Sequence, residues 1–452
     1  MKSYVKQNRY MFGLGTVGRD MMYSLVSMYL IVFLTEILNL PDSTMWWMTG
    51  AMTALRIFDA VNDPVMGFLV DNTHGRFGKF KPWIVIGGII GGILTVLLFV
   101  DYGIKSPAYV IIFVVLYLLW DLTYGANDIA YWSMLPSLTL NQKEREKTGA
   151  FARICANVGL FVTVVLIIPV TNGLGGDTKA WLTVAIGIVL LTWAFLAFTV
   201  FGVREDKSIH VKQDSTSLKE MFIVLFKNDQ LMYTAISMGL FMIGYTTTTT
   251  FGTYYFKYAF KNEDMYSVFA AILGVTQLAA LSVFPLFSKK FSRRTLYTFS
   301  TVLVVLGYLI FFFAPMKMIY VGAAGILLFI GEAFIQLLML MFLADTVEYG
   351  QWKLGNRNES ITFSVQPFIN KIGGAIASGI VLATLILSGI NSAETPDDVT
   401  ETGLLMLKFS MLILPIVFIL IGYLIYRKKF RIDKELFDKI IDELKARGDI
   451  NK

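Results

Sequence analysis

The sequence predicts an all-α polytopic membrane protein with twelve transmembrane helices in two six-helix bundles. Three observations predict it. Of 452 residues, 56% are hydrophobic and only 16% charged, with a mean hydropathy of +0.62. Soluble domains run at about 25% charged and about 45–50% apolar, so charge is too scarce to coat a water-soluble surface. That excludes a disordered chain, a nucleic-acid binder and an ordinary cytosolic enzyme. Apolar runs of the ~20 residues that a membrane-crossing helix needs recur twelve times, and the 39 Lys and Arg fall mostly on one side of them.

The spans read, in order, 10–37, 43–70, 82–101, 107–136, 149–171 and 180–202, then 230–256, 265–288, 295–314, 318–345, 361–389 and 403–426. Turn signals separate them, as at Asn39-Leu40-Pro41-Asp42 and Thr395-Pro396-Asp397-Asp398. The basic N-terminus runs straight into the first span without a small-residue cleavage site, so no signal peptide is expected. With both termini placed in the cytoplasm, cytoplasmic segments hold 29 Lys and Arg and outer loops five, with five more inside spans. Basic residues resist translocation, so the expected location is the cytoplasmic membrane with N- and C-termini inside.

The longest internal polar stretch splits the spans six and six. The expected organisation is an N-terminal bundle over 1–202, a cytoplasmic linker over 203–229, a C-terminal bundle over 230–426 and an amphipathic tail over 427–452. Basic loops after spans 2 and 8 form a faint repeat, and two parallel six-helix halves are a known transporter plan. In the tail, Leu436, Phe437, Ile440, Ile441 and Leu444 share one helical face behind a capping Asp433, a stripe that predicts a packed helix.

Charged side chains in the bilayer centre cost ~2.5–3.5 kcal/mol each on insertion scales. The spans nevertheless contain Arg19, Asp20, Arg56, Asp59, Asp63, Asp121, Asp128, Arg153, Glu332 and Lys371. Asp59, Asn62 and Asp63 lie three and four apart on one helix face. They form a hard-oxygen cluster suited to Na⁺ or Li⁺, or to a shared proton, since adjacent carboxylates raise one another's proton affinity. The plainer alternative is a salt-bridge set with Arg56 and Lys371. Two acids on one face exceed what one basic partner neutralises, which favours the cation site. In the fourth span Trp120, Tyr124, Asp128 and Trp132 form a stripe in which rings could stack on a sugar and the carboxylate accept its hydroxyls. Trp120 and Trp132 could equally mark membrane interfaces. Asp20, followed by Tyr23 and Ser27, is a second acceptor, with Arg19 and Arg153 placed to orient either acid or bind substrate. The run Thr246 to Thr250 could line a wet cavity or satisfy its own helix. Cys155 alone excludes a disulfide framework. With His74 and His210 both in cytoplasmic segments, any protonatable group in a pathway is a carboxylate.

Several segments carry a family resemblance: Gly13 to Asp20, Arg56 to Gly67, Arg76 to Trp83, Asp128 to Pro136, Lys143 to Glu146, Lys227 to Gln230, Ala344 to Gly350 and Ser364 to Gln366. Together they resemble the glycoside–pentoside–hexuronide:cation symporters, the melibiose-carrier branch of the major facilitator fold, over nearly the whole chain. The resemblance implies a cation site at Asp59, Asn62 and Asp63, with Asp59 and Asp63 as metal ligands if the ion is Na⁺; Asp121, one turn before Gly125 in the fourth span, is a possible addition that the resemblance does not supply. It implies sugar acceptors at Asp20 and Asp128, surrounded by Arg19, Tyr124, Trp132, Arg153, Gln366 and Lys371. No cofactor is expected beyond co-transported Na⁺ or H⁺. The expected partners are a small sugar, a monovalent cation and the lipid bilayer, with no nucleic acid and a functional monomer.

Three departures matter. Gly125 stands where the melibiose carrier has a cation-binding Thr, Asp121 where it has Gly, and Gln336 where it has a Trp near the sugar. The first two favour H⁺ or a rearranged site, and the third favours a pentoside, an oligosaccharide or a glucuronide over melibiose. A non-sugar symporter for lysolipid or drug-like solutes on the same fold is an alternative. A remote one is an intramembrane prenyltransferase-type enzyme, because Asp59-x-x-x-Asp63 superficially resembles a diphosphate-binding motif.

Overall fold

The computed structural model describes residues 2–73, 77–205, 223, 226–262, 265–390, 393 and 395–450. His74, Arg76, His210 and most of the expected linker lie outside them, as does the side chain of Arg56. Among the described residues there are helices and no strands. Twelve long helices follow the predicted spans. α1 runs over Lys2–Ser24 and continues to Ile37 through π-helical turns at Leu25–Tyr29 and Phe33–Ile37. α2 covers Asp42–Asp71, α3 Lys81–Leu98, α4 Ala108–Ser133, α5 Gln142–Gly173 and α6 Thr178–Gly202. In the second half α7 covers Asp229–Tyr254, α8 Met265–Lys290, α9 Arg293–Phe313, α10 Met318–Leu354, α11 Glu359–Leu387 and α12 Glu401–Lys429, the last with a π turn at Phe409–Ile413.

Ten of these helices are long and apolar enough to cross a membrane by length and composition; α2 and α7 are not among them. Both are long enough. α2 falls short because it carries Arg56, Asp59, Asn62 and Asp63, and α7 because of its threonine run. α10 extends nine residues beyond its predicted end at Asp345, because the polar continuation keeps helical hydrogen bonding to Leu354.

The chain forms two compact units, Met1–Val224 with Gly355–Ser364 and Ile441–Lys452, and Leu225–Leu354 with Val365–Ile440. In the first unit α1 packs on α5 and α6, and α4 on α2 and α3. Small residues set the α1–α5 approach: a Cβ on Gly159 would meet the Val17 carbonyl oxygen at 2.2 Å, so only glycine allows it. Thr192 donates to the Gly18 carbonyl at 2.7 Å and Thr16 to the Ala152 carbonyl at 2.9 Å. These bonds pin the stretch of α1 that carries Arg19 and Asp20. In the second unit α10 packs on α7, α8 and α9, and α7 also on α12.

At the end of α2, Asp71 accepts from the Lys79 ammonium at 2.6 Å and from the backbone N–H groups of Ser360 and Ile361 at 3.0 and 2.7 Å. Lys79 also donates to Glu359 at 2.8 Å, and Glu359 pairs with Arg357. Burial works against the charge on Lys79, but Asp71 and Glu359 outweigh it and hold its pKa above the usual lysine range. The tail forms α13, Lys434–Ala446. Asp433 caps it by accepting from the Leu436 N–H at 2.9 Å, and Phe437, Ile440, Ile441 and Leu444 are buried while Leu436 is half-buried.

Candidate substrate and cation site

The first unit assembles a set of charged side chains inside its helices. Arg19 on α1 is 1% exposed; it donates through Nε to the Asn127 side-chain oxygen at 2.7 Å and forms an ion pair with Asp128 on α4. Its guanidinium carbon lies 4.2 Å from the centroid of the Tyr131 ring, a cation–π contact. Asp20 lies half-buried within electrostatic reach of Arg19, Asp128 and Arg153. Arg153 on α5 stacks over Trp132, 4.5 Å from guanidinium to ring centroid. Two acids and two guanidinium groups thus make a set with no net charge, which reduces the cost of holding them away from water.

Several donors in this set are left over. Arg19 Nη1 and Arg153 Nε are buried without a hydrogen-bond partner, while the side chain of Asp128 is 28% exposed. Guanidinium donors beside accessible carboxylates suit a ligand rich in hydroxyls, each of which both accepts and donates. The aromatic stripe divides on inspection. Trp120 is buried and its N–H donates to Thr95 at 2.9 Å, so it packs the bundle. Tyr124 is stacked between Tyr23 and Trp120, with centroids 5.2 and 5.3 Å away, and is half-buried like the acids around it.

Asn127 and Tyr131 belong to this set and were not singled out in the sequence. Asn127 also donates to the Ile84 carbonyl at 2.7 Å, tying α4 to α3. Tyr131 donates to the Phe12 carbonyl and shares a hydrogen bond of 2.8 Å with Thr199. The available signal was an amide directly before Asp128 in an otherwise apolar span.

Of the cation candidates on α2, Asp63 is 1% exposed, and Asp59 and Asn62 are half-buried. The Asn62 amide nitrogen is buried without a partner. Among the described residues, a Cβ built on Gly125 of α4 would have a single neighbour within 4 Å, the Asp63 Oδ1 at 3.9 Å. Position 125 therefore faces Asp63, with room for a side chain. Asp121, one turn earlier on α4, is half-buried. Among the described residues no three His, Cys, Asp or Glu side chains converge as a metal-holding group, so an ion on Asp59 and Asp63 needs neutral oxygens as well. Gln366 and Lys371, both half-buried, belong to the second unit.

Ten helices long and apolar enough to cross a membrane, with charged side chains held inside the first unit, are those of a multi-pass membrane transporter. Residues 11–434 match the family described as MFS/sugar transport protein, and the chain belongs to that family. It is 34% identical to the lactose permease of Lactobacillus delbrueckii subsp. bulgaricus, over 97% of this chain and 72% of that protein. It is also 34% identical to the raffinose carrier protein of Pediococcus pentosaceus, over 96% of this chain and 71% of the carrier. The isoprimeverose transporter of Lactiplantibacillus pentosus is 27% identical over 83% of this chain and 79% of its own length. Among solved structures, the proton:xylose symporter XylE superposes with a TM-score of 0.66 at 14% identity, covering 95% of this chain and 96% of XylE. The match shows that the fold is that of the major facilitator superfamily. The chain is thus a sugar transport protein of this family and not an enzyme, which disposes of the prenyltransferase alternative.

Proposed function

We propose that the chain carries out proton-coupled uptake of a di- or trisaccharide glycoside by alternating access, working as a monomer in the cytoplasmic membrane with both termini in the cytoplasm. The observation that carries the reading is the buried, charge-balanced set of Arg19, Asp20, Asp128 and Arg153, with its leftover donors and a half-exposed acid. In this reading Asp20 and Asp128 accept sugar hydroxyls, and Arg19 and Arg153 donate to them. Tyr124 and Trp132 complete the surroundings. The names of the lactose and raffinose relatives support a substrate larger than a monosaccharide. Gly125 in place of a hydroxyl-bearing residue beside Asp63 supports H⁺ over Na⁺, with Asp59 and Asp63 sharing the proton and Asn62 and Asp121 nearby.

Purified protein in liposomes, given a panel of galactosides, xylosides and glucuronides under imposed H⁺ or Na⁺ gradients, tests the reading. Uptake of lactose or raffinose driven by an inwardly directed H⁺ gradient is expected. Replacing Asp59 by Cys should abolish accumulation while leaving downhill exchange intact. Accumulation driven by Na⁺ alone, or persisting in the Asp59→Cys variant, refutes the assignment of the coupled ion.

A further inference from the structure

Glu332 lies on α10, ~21 Å along the helix from Met318 at 1.5 Å per residue. It is 1% exposed, and its Oε2 is buried with no hydrogen-bond partner. Among the described residues no Lys, Arg or His pairs with it. A carboxylate held in this way costs many kcal/mol, whereas the neutral acid costs far less.

The hydroxyls around it point to the same protonation state. Thr248 on α7 donates to the Met411 carbonyl at 3.0 Å, which leaves its oxygen to accept. The Tyr308 hydroxyl on α9 lies 2.7 Å from that oxygen and 3.5 Å from Glu332 Oε1. Tyr308 has one proton, and the shorter contact takes it. Glu332 Oε1 is thus left with at most the weaker, 3.5 Å share of the Tyr308 hydroxyl, too little to hold a buried carboxylate. A line of oxygens runs from Glu332 Oε1 past the Tyr308 and Thr248 hydroxyls to the Met411 carbonyl. The preceding Gly331 permits the close α9–α10 contact, since a Cβ there would meet the Ser300 carbonyl oxygen at 2.6 Å.

Further polar groups lie near the acid. Tyr245 on α7 lies within electrostatic reach of Glu332, and its hydroxyl is faced by the amides of Gln277 and Gln336. Gln336 follows Glu332 by one turn on the same helix face, and both Gln336 and Tyr245 are half-exposed. The other titratable group nearby is Tyr266, beside Tyr245. One carboxyl and one phenol supply too few oxygens for Na⁺, but they suit a proton.

We propose that Glu332 is a proton-binding site of the second unit, separate from the α2 carboxylates, that loads and releases a proton during transport through Tyr245 and Gln336. The proposal rests on the sugar-symport reading for its coupling, though not for the protonation itself. When a sugar engages Gln336 and Tyr245, the phenol turns away from the glutamines and offers its oxygen to the acid. Loading adds one proton to the carboxylate and release returns it, with no other bond made or broken.

The test uses the full chain in two arms. Infrared spectra of the reconstituted wild type should show a protonated-carboxyl C=O band that is absent in Glu332→Gln, persists in Asp59→Asn and shifts in Tyr308→Phe. The last variant keeps the proposal testable if Glu332→Gln does not fold. In liposomes, each pH unit drives about tenfold accumulation per coupled proton. Glu332→Gln should therefore lose about tenfold of the accumulation supported by a gradient of about one unit, with sugar exchange retained; the Glu332 proton is carried only when the α2 site is also loaded, so Asp59→Cys still abolishes accumulation. Absence of the band overturns the proposal, and so does a band accompanied by unchanged accumulation, which makes Glu332 a permanently neutral packing residue. A wild type that shows the band but transports no panel sugar defeats the sugar-symport reading and, with it, the coupling assigned to Glu332, while the protonation stands.

Discussion

Introducing threonine at Gly125 should make transport respond to Na⁺. The Cβ of a side chain at 125 lies 3.9 Å from Asp63 Oδ1, an ordinary van der Waals distance, and among the described residues has no other neighbour within 4 Å. The helix therefore accepts it without displacement, and Thr and Gly differ little in helix propensity, by a few tenths of a kcal/mol. The new hydroxyl can add a neutral oxygen to Asp59, Asn62 and Asp63. One such polar interaction is worth about 0.5–1.5 kcal/mol net, which converts to roughly twofold to tenfold in Na⁺ affinity. The assay is sugar uptake into liposomes against external Na⁺ at fixed pH, with K⁺ replacing Na⁺. Gly125→Val is the control, since it fills the same volume without the oxygen. Equal Na⁺ dependence of the Thr and Val variants, with sugar exchange intact in both, refutes the reasoning that position 125 is where the ion choice is made.

Asn127→Ala removes the acceptor that holds the Arg19 Nε, a fully buried hydrogen bond to a charged group worth about 1.5–3 kcal/mol. Sugar affinity measured by titration calorimetry should fall about tenfold to hundredfold, and an unchanged affinity would remove Arg19 from the binding set. Asp71→Asn leaves Lys79 with Glu359 alone in a buried site, so the expected loss sits at the lower end of the ~3–5 kcal/mol seen on breaking buried pairs. A thermal scan in detergent should show an earlier transition; a coincident one would mean the cluster contributes nothing to stability.

The spans, the tail helix and the buried acids were legible in the sequence because each rests on a one-dimensional signal. Apolar runs located the helices, although polar continuations make α1 and α5 start eight and seven residues earlier and α10 end nine residues later than its run, and the stripe from Leu436 to Leu444 identified α13. The Arg19–Asp128 pairing was legible only as proximity in type, since the residues are 109 apart and the contact depends on side chains reaching from α1 to α4 in the folded unit. Asn127 escaped notice because an amide in a span reads as neutral until its two partners, Arg19 and the Ile84 carbonyl, are known. Trp120 misled in the opposite direction. Its spacing placed it with Tyr124 and Asp128, yet the indole N–H is consumed by Thr95. Glu332 was visible as a charge in a span, but its solitude is a property of the packed bundle. Asp71 likewise looked like one more loop charge until the N–H groups of Ser360 and Ile361 were found on it.

The low hydropathy of α2 and α7 bears on how the protein is made. A segment that lipid alone does not accept must enter the bilayer together with a partner that covers its polar face. For α2 that partner, α4, emerges from the ribosome soon afterwards. α7 packs most extensively against α12, the last span synthesised, and more lightly against α10. The threonine-rich helix therefore waits through the synthesis of five spans before its main partner exists, and assembly of the second unit cannot finish until the chain is almost complete.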